Sequence, residues 1–325
     1  MKTRNMYKVK QILLFSFFIL WATICQSQVS YFGESLLNSQ KLEIFKKTTT
    51  LFTFQYSDYA ELKKFDLAIK KNWTITPYKI IKPEELARYD TLANYSVFYF
   101  DTYTEKTDST TNVNIIYALK LLTPSKKPKL KEESILATVA IFADPTTNLL
   151  IERQDQQYGT KRSIKNNILS YLYNKSSFFN WSPGFLTGYL KQINDGLLTN
   201  QNCNIDYQFY NKIRLPELAK ETLYIPEYIK QVFSSRLALL PPSGIIAEPY
   251  NYKLKFVSYE ALDSLILNKT APVKYVVYTQ RSNDKIISVY DSKDDKIIYQ
   301  RFYTQSPNFE MNDLSEIKKV IVSLK

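Results

Sequence analysis

The chain has 325 residues, 45% hydrophobic and 15% aromatic, with a formal net charge of +12. That apolar share fills one large core or two modest ones and excludes a chain disordered throughout. There are no histidines, two cysteines and six glycines, which removes Ser-His-Asp and Cys-His nucleophiles, HExxH, histidine-held zinc, thiolate clusters and glycine-rich nucleotide loops; no catalytic residue, metal or cofactor is expected.

The chain opens on the basic residues Lys2, Arg4, Lys8 and Lys10, followed by the apolar run Ile12 to Ala22. About 20 apolar residues are needed to span a bilayer. The run is shorter, so 1–27 reads as a secretory signal cleaved after Ser27, leaving Gln28 first. An uncleaved anchor continuing through Ile24 is the alternative. Cys25 would carry the lipid of a lipoprotein, but Ile24 precedes it where that pattern wants a small side chain. The expected protein is exported, to the periplasm or outer envelope, with no transmembrane span after cleavage. Its 298 residues (325 minus 27) keep Cys203 as the sole cysteine, so no intramolecular disulfide forms. Loss of four basic residues and no acid lowers the charge from +12 to +8. Nucleic acid suits an exported chain poorly, so the expected partner is an envelope protein or an anionic polymer. The plain alternative is a lysine-rich composition without a charged partner.

Residues 28–150 read as a first mixed α/β region. Thr48 to Gln55 is a strand, Asp58-x-x-Glu61 a capping box, and Leu62, Phe65, Ile69 and Trp73 the apolar stripe of a helix lying on a sheet. Tyr78 to Ile81 is extended, and Pro83 opens a helix through Leu86 and Leu92. Strands follow at Ser96 to Phe100 and Val113 to Leu122, with Glu105 to Asn112 a polar loop. The lysine-rich Ser125 to Lys131 is a solvated linker, or a contact for a polymer or membrane surface. Leu136 to Ala143 is a further apolar run.

Residues 151–215 read as a helical insertion, with two helices marked by Ile164, Ile168 and Leu172 and by Leu186, Tyr189, Ile193 and Leu197. They break at Ser182-Pro183-Gly184. Phe178, Phe179, Trp181 and Phe185 crowd this break and form the candidate binding site, where exposed rings would stack on sugars or anchor a protein. Each ring has about 150 to 250 Å² to bury, more than a helix corner offers. At least two are expected buried and at least one exposed; the alternative is a wholly buried corner.

Residues 216–325 read as a second α/β region. Strands at Thr222 to Ile225 and Tyr252 to Val257 precede a helix over Tyr259 to Leu267. A meander follows over Val273 to Thr279, Ile286 to Tyr290 and Lys296 to Tyr303, and Asp313-x-x-Glu316 opens a closing helix. Asp291 to Asp295 is turn chemistry; as a calcium loop it lacks the glycine and distal glutamate of an EF-hand. Ser282 to Lys285 is an SxxK string placed in a hairpin turn, with no SDN or KTG partner. Glu84-Glu85, Glu132-Glu133 and Asp294-Asp295 are helix starts and turns, since adjacent acids do not face each other across a cleft as glycosidase carboxylates must.

The runs from Tyr78 and from Tyr252 share an order: Tyr-Lys, a short strand, an acidic helix start, then an aromatic strand. TTTLFTF and KETLYIP precede them respectively. This is either an internal repeat, with one strand order in both regions, or a chance similarity of two strand-helix-strand units.

The signal ending Cys25-Gln26-Ser27-Gln28, the Lys-, Asn- and Tyr-rich composition and the few glycines resemble uncharacterised exported proteins of the Bacteroidota. The first region is also similar in topology to the amino-terminal domains of envelope proteins such as TolB. These resemblances imply an envelope location and no activity. The fold class is α+β, two mixed α/β regions flanking a helical insertion. The expected function is a non-enzymatic binding or assembly component; the rival is a hydrolase of envelope polymers using carboxylates or a Ser-Lys pair. A cleft lined by facing acids would favour the rival, and a flat aromatic patch the binder.

Overall fold

Apolar alternation sets the strands, and their pairing gathers them into two sheets. A computed structural model of the chain describes residues 25–26, 28–31, 39–89, 92, 94–106, 111–122, 134–155, 161–204, 208–232, 250–268 and 270–325. The signal-type stretch 1–24, the lysine-rich 125–131 and the pair Glu132-Glu133 lie outside these residues.

The first sheet runs β1 (Cys25–Gln26), β8 (Cys203–Asn204), β2 (Val29–Tyr31), β7 (Ser134–Ile141), β6 (Thr111–Leu121), β5 (Tyr95–Lys106), β3 (Thr49–Phe52), β4 (Tyr78–Ile80). The second runs β9 (Phe209–Tyr210), β14 (Lys296–Tyr303), β13 (Asp284–Asp291), β12 (Lys274–Arg281), β10 (Leu223–Pro226), β11 (Leu254–Val257). β3 is parallel to both its neighbours, and so is β10. The remaining pairings among β2 to β7 and among β9 to β14 are antiparallel. In chain order, then, β2 to β7 and β9 to β14 trace one path twice. The repeat suggested at Tyr78 and Tyr252 exists as equal strand order and direction, and it extends over six strands per copy. The protein is α+β with two mixed sheets.

Two local expectations change. The stretch after Pro83 is a 3-10 turn, Pro83–Arg88, and not a helix through Leu92; only 14 residues separate β4 from β5, and Glu85 closes the turn on Lys82 N–H at 2.9 Å. The second copy makes the same connection with the helix Tyr259–Leu267, capped by Ser258 accepting from Ala261 N–H at 3.3 Å. Glu105, Lys106, Thr111 and Asn112, read as the ends of a polar loop, belong to strands, because β5 and β6 pair out to Lys106 and Thr111; 107–110 lie outside the described residues.

In chain order the helices are α1 (Ser39–Lys46), α2 (Leu62–Asn72), α3 (Pro145–Asp155), α4 (Lys161–Asn174), α5 (Pro183–Leu198), α6 (Tyr259–Leu267) and α7 (Met311–Ser323). None among the described residues is long and apolar enough to cross a membrane. On α2, Phe65, Ile69 and Trp73 at its C-cap are buried as the stripe requires. α5 begins at Pro183 behind Ser182, whose hydroxyl accepts from Phe185 N–H at 3.1 Å, the expected cap chemistry.

α5 does not stand apart from the sheets. Thirteen of its 16 residues are buried, the mark of a helix enclosed on all sides, and it touches β2, β14, α2 and α6. Three glycines let the neighbours close in. A Cβ on Gly188 would stand 2.7 Å from the Tyr290 ring of the second sheet, and one on Gly196 would overlap the Tyr31 ring of the first. Asn180, just before α5, ties the sheets directly: its amide donates to Ala140 O on β7 and Thr279 Oγ1 on β12, both at 2.9 Å.

Gly196→Ala therefore tests whether α5 is clamped. Helix propensity alone favours alanine by about 1 kcal/mol, whereas the overlap with Tyr31 predicts a loss of about 1 to 3 kcal/mol in denaturant unfolding. The exposed Leu198→Ala, in the same helix, should stay within about 0.5 kcal/mol.

Candidate functional site

β3 and β10 each lie between two parallel neighbours, and in open α/β sheets ligands collect outside the carboxyl ends of such strands. Each strand leaves its sheet into a 3-10 turn, Tyr56–Glu61 after β3 and Glu227–Val232 after β10. The two exits meet at one cleft of about 470 Å³. Gln55, Ser57 and Asp58 line it from the first copy, and Glu227 and Tyr228 from the equivalent place in the second. Ser258, Tyr259 and Glu260, at the start of α6, complete that side. The segment joining α4 to α5 closes the cleft with Phe178, Phe179 and Trp181.

Asp58 is the most constrained of these groups. It was expected to open a capping box with Glu61. Instead the box sits three residues earlier, with Asp58 Oδ2 accepting from Gln55 N–H at 3.1 Å, while Glu61 pairs with Lys64. The Trp181 indole N–H donates to the same Oδ2 at 2.9 Å. Oδ1 accepts no hydrogen bond among the described residues. Burial pushes the Asp58 carboxyl up to about 6; the Trp181 and Gln55 donors pull against this, and Glu61 adds to it. Gln55 fixes the wall from behind, its amide donating to Leu172 O at 2.7 Å and Ser176 O at 2.9 Å.

The four predicted aromatics divide unevenly. Phe178, Trp181 and Phe185 are buried and Phe179 is half-buried, so the expectation of an exposed ring is corrected. A helix corner alone would not hide them. Here it is wedged between both copies, with Phe178 against Phe100 at 5.0 Å and Trp181 against Tyr117 at 4.7 Å. Phe179 stacks on Tyr228 at 5.3 Å, nearly coplanar, with Phe142 at 5.1 Å. Phe185 turns away and packs on Tyr259 and Tyr275, both at 5.9 Å; it is absent from the cleft lining.

Among the described residues three acids and no lysine or arginine line the cleft. The anionic polymer suggested by net charge thus has no cationic seat there. Behind the cleft, Asp263 on α6 is buried and accepts from Gly184 N–H at 2.6 Å, holding the start of α5. Burial raises its carboxyl, opposed by Ser182 and Gly184.

The other sequence candidates have structural roles. Ser282 occupies the β12–β13 turn with φ 51, and Lys285 is buried against Asp313 at 2.9 Å and Asn308 O at 2.7 Å. Of the Asp291 to Asp295 acids, Asp291 pairs with Arg214, Asp294 with Arg214 at 2.8 Å and Asp295 with Lys71 at 3.3 Å. Glu84 accepts from Tyr56. Among the described residues no group of three or more Cys, Asp or Glu side chains is arranged to hold a metal ion.

Sequence reasoning passed over Asp58 as a helix start and never singled out Glu227, Tyr228 or Glu260. The repeat held the available signal, since Gln55-Tyr56 and Glu227-Tyr228 close its two aligned strands. Among known proteins no family model, no curated protein and no solved structure matches the chain.

Asp58→Asn keeps an acceptor for Trp181 and Gln55 but removes the charge. A carboxyl raised from 3.8 to about 6 on folding adds stability below its unfolded value and loses it as pH rises through the folded one. The wild type should lose stability between about pH 4 and pH 6 while the variant does not. Thermal melts should place Asp58→Asn above wild type near pH 7 and level with it near pH 3.5; a variant that melts lower near neutrality contradicts an uncompensated charge.

Proposed function

We infer that the protein is a non-enzymatic binding or assembly component, exported to the periplasm or outer envelope, whose ligand seat is the cleft between the two copies. One observation carries this: equivalent segments after β3 and β10 converge on a single concave site walled by the α4–α5 aromatics. A concave site with an apolar wall and a few polar groups is where ligands bind. The export half rests on the basic start and the short apolar run. Gln28 is buried and donates to Tyr189 Oη at 3.1 Å and Ala140 O at 3.3 Å. Cleavage after Ser27 would keep β2 and remove only the two-residue β1.

A carboxylate hydrolase of envelope polymers is the second reading. It is favoured by Asp58, whose raised carboxyl beside an indole suits a general acid. Against it, Asp58 Oδ2 is committed to two structural donors. The Ser-Lys version has no support, because the Lys285 ammonium is enclosed by Asp313 and Asn308.

Amino-terminal sequencing of protein recovered from the periplasm should begin at Gln28; Met1 or an acylated Cys25 would overturn the export reading. Solubilised envelope extract should raise the melting temperature of wild type but not of Phe179→Ala. That variant should itself fold, whereas the fully buried Phe178→Ala should cost about 3 to 5 kcal/mol. New reducing ends or peptide amino termini released by wild type and not by Asp58→Asn would instead establish the hydrolase.

A further inference from the structure

We propose that the cleft takes a protonated primary amine, its ammonium seated against Asp58 Oδ1 and its carbon chain along Phe179 and Tyr228. The inference rests on the cleft being the ligand seat.

Charge makes the first selection. Among the described residues Asp58, Glu227 and Glu260 line the site without a lysine or arginine; Lys230 beside it pairs with Glu227 at 3.1 Å, so the charge open to a ligand is that of Asp58 and Glu260, which favours cations over anions.

Asp58 makes the second. Of the five buried aspartates among the described residues, four face a cation: Asp101 faces Lys165, Asp291 faces Arg214 and Lys274, Asp295 faces Lys71 and Asp313 faces Lys285, while Asp263, like Asp58, is met by neutral donors, here Gly184 N–H and the Ser182 hydroxyl. Asp58 has only an indole and an amide N–H, both on Oδ2. Among the described residues no cation pairs with it, and an ammonium at Oδ1 would supply one. A half-buried carboxylate with one oxygen facing the cleft gains from a cationic partner there.

The rings make the third. Sugar binding by stacking needs an open flat face, but Phe179 lies between Tyr228 and Phe142, and Trp181 is enclosed by Phe54, Phe65, Phe100 and Tyr117. What the aromatics offer is a narrow apolar wall for methylene groups. A free diamine and the lysyl side chain of a peptide share this chemistry.

Several groups act on the Asp58 charge. Glu61 and Tyr59 share its turn, Trp181 comes from the α4–α5 segment, Tyr117 from β6 and Tyr259 from α6. Glu227 and Glu260 share its cleft. Lys64 is held by Glu61.

Calorimetry at low salt should use 1,5-diaminopentane, the tripeptide Ala-Lys-Ala and, as an uncharged mimic of the diamine, 1,5-pentanediol. At about pH 7.5 at least one amine should bind saturably and the diol should not; near pH 5 the affinity should fall on the order of tenfold as Asp58 protonates. Which amine binds tells a free diamine from a lysyl side chain. Asp58→Asn should weaken binding at least about tenfold. Should that variant fail to fold, the paired Glu227→Gln, Glu260→Gln variant, which leaves the turn intact, should weaken amine binding severalfold. Binding of the diol, equal binding by the charge-removed variant, or no binding of either amine at millimolar concentration would overturn the inference. If extract still stabilises wild type in a Phe179-dependent way, the amine assignment alone fails; if it does not, the cleft reading fails with it.

Discussion

An almost wholly buried helix needs apolar surface on every side, and α5 obtains it only from both copies of the repeated unit at once. Tyr31 of the first sheet and Tyr290 of the second rest on Gly196 and Gly188, where any side chain would hold them off. Protein interiors are packed too closely to absorb such a displacement without loss. The two sheets therefore share one core, which runs without a break from Val29 to Ile321. Asp263 then fixes α5 along its own axis by bonding Gly184 N–H, and Ser182 and Trp181 precede that first turn. The wall of the cleft is thus an extension of the helix start, placed by the same packing that joins the copies.

The repeated strand order explains where the cleft lies, and the differences between the copies explain its chemistry. The segments after β3 and β10 occupy the same topological position, yet one ends in Gln55 and Asp58 and the other in Glu227 and Tyr228. The connection before the third parallel strand differs more. In the first copy it is the short 3-10 turn Pro83–Arg88, in the second the helix α6. Only α6 contributes side chains to the cleft, with Tyr259 and Glu260 at its start and Asp263 bracing α5. The asymmetry between otherwise equal paths falls on residues that build the site.

The strands were legible because their burial alternates or is continuous, and the start of α5 was legible because Ser182-Pro183 is a local signal with a local cause. The repeat could be read from order alone, since six strands laid down in one sequence of types leave a trace even when spacings drift. Asp58 was not legible. Its nearest neighbours explain it fully as a turn residue, and the indole that gives it a second role comes from 123 positions away. The buried rings failed for a related reason: the volume that hides Phe178 and Trp181 belongs to β5 and β6, and nothing near residue 180 announces it. Long-range enclosure, more than secondary structure, is what the sequence withholds.

Charge placement separates structure from function in this molecule. Lys274 is buried among Glu217, Glu221 and Asp291, and Lys285 is closed off by Asp313. These pairs follow the rule that an ion leaves water only with a partner. Asp58 breaks that rule in part, held by neutral donors with one oxygen left over. An asparagine there would satisfy Trp181 and Gln55 equally and carry no desolvation penalty, so packing gives no reason for a carboxylate. Local rules tend to be broken where a protein meets something other than itself. A half-buried acid facing a cleft, without a cation among the described residues while four of the five deeper aspartates have one, is therefore better explained by what enters the cleft than by what surrounds it.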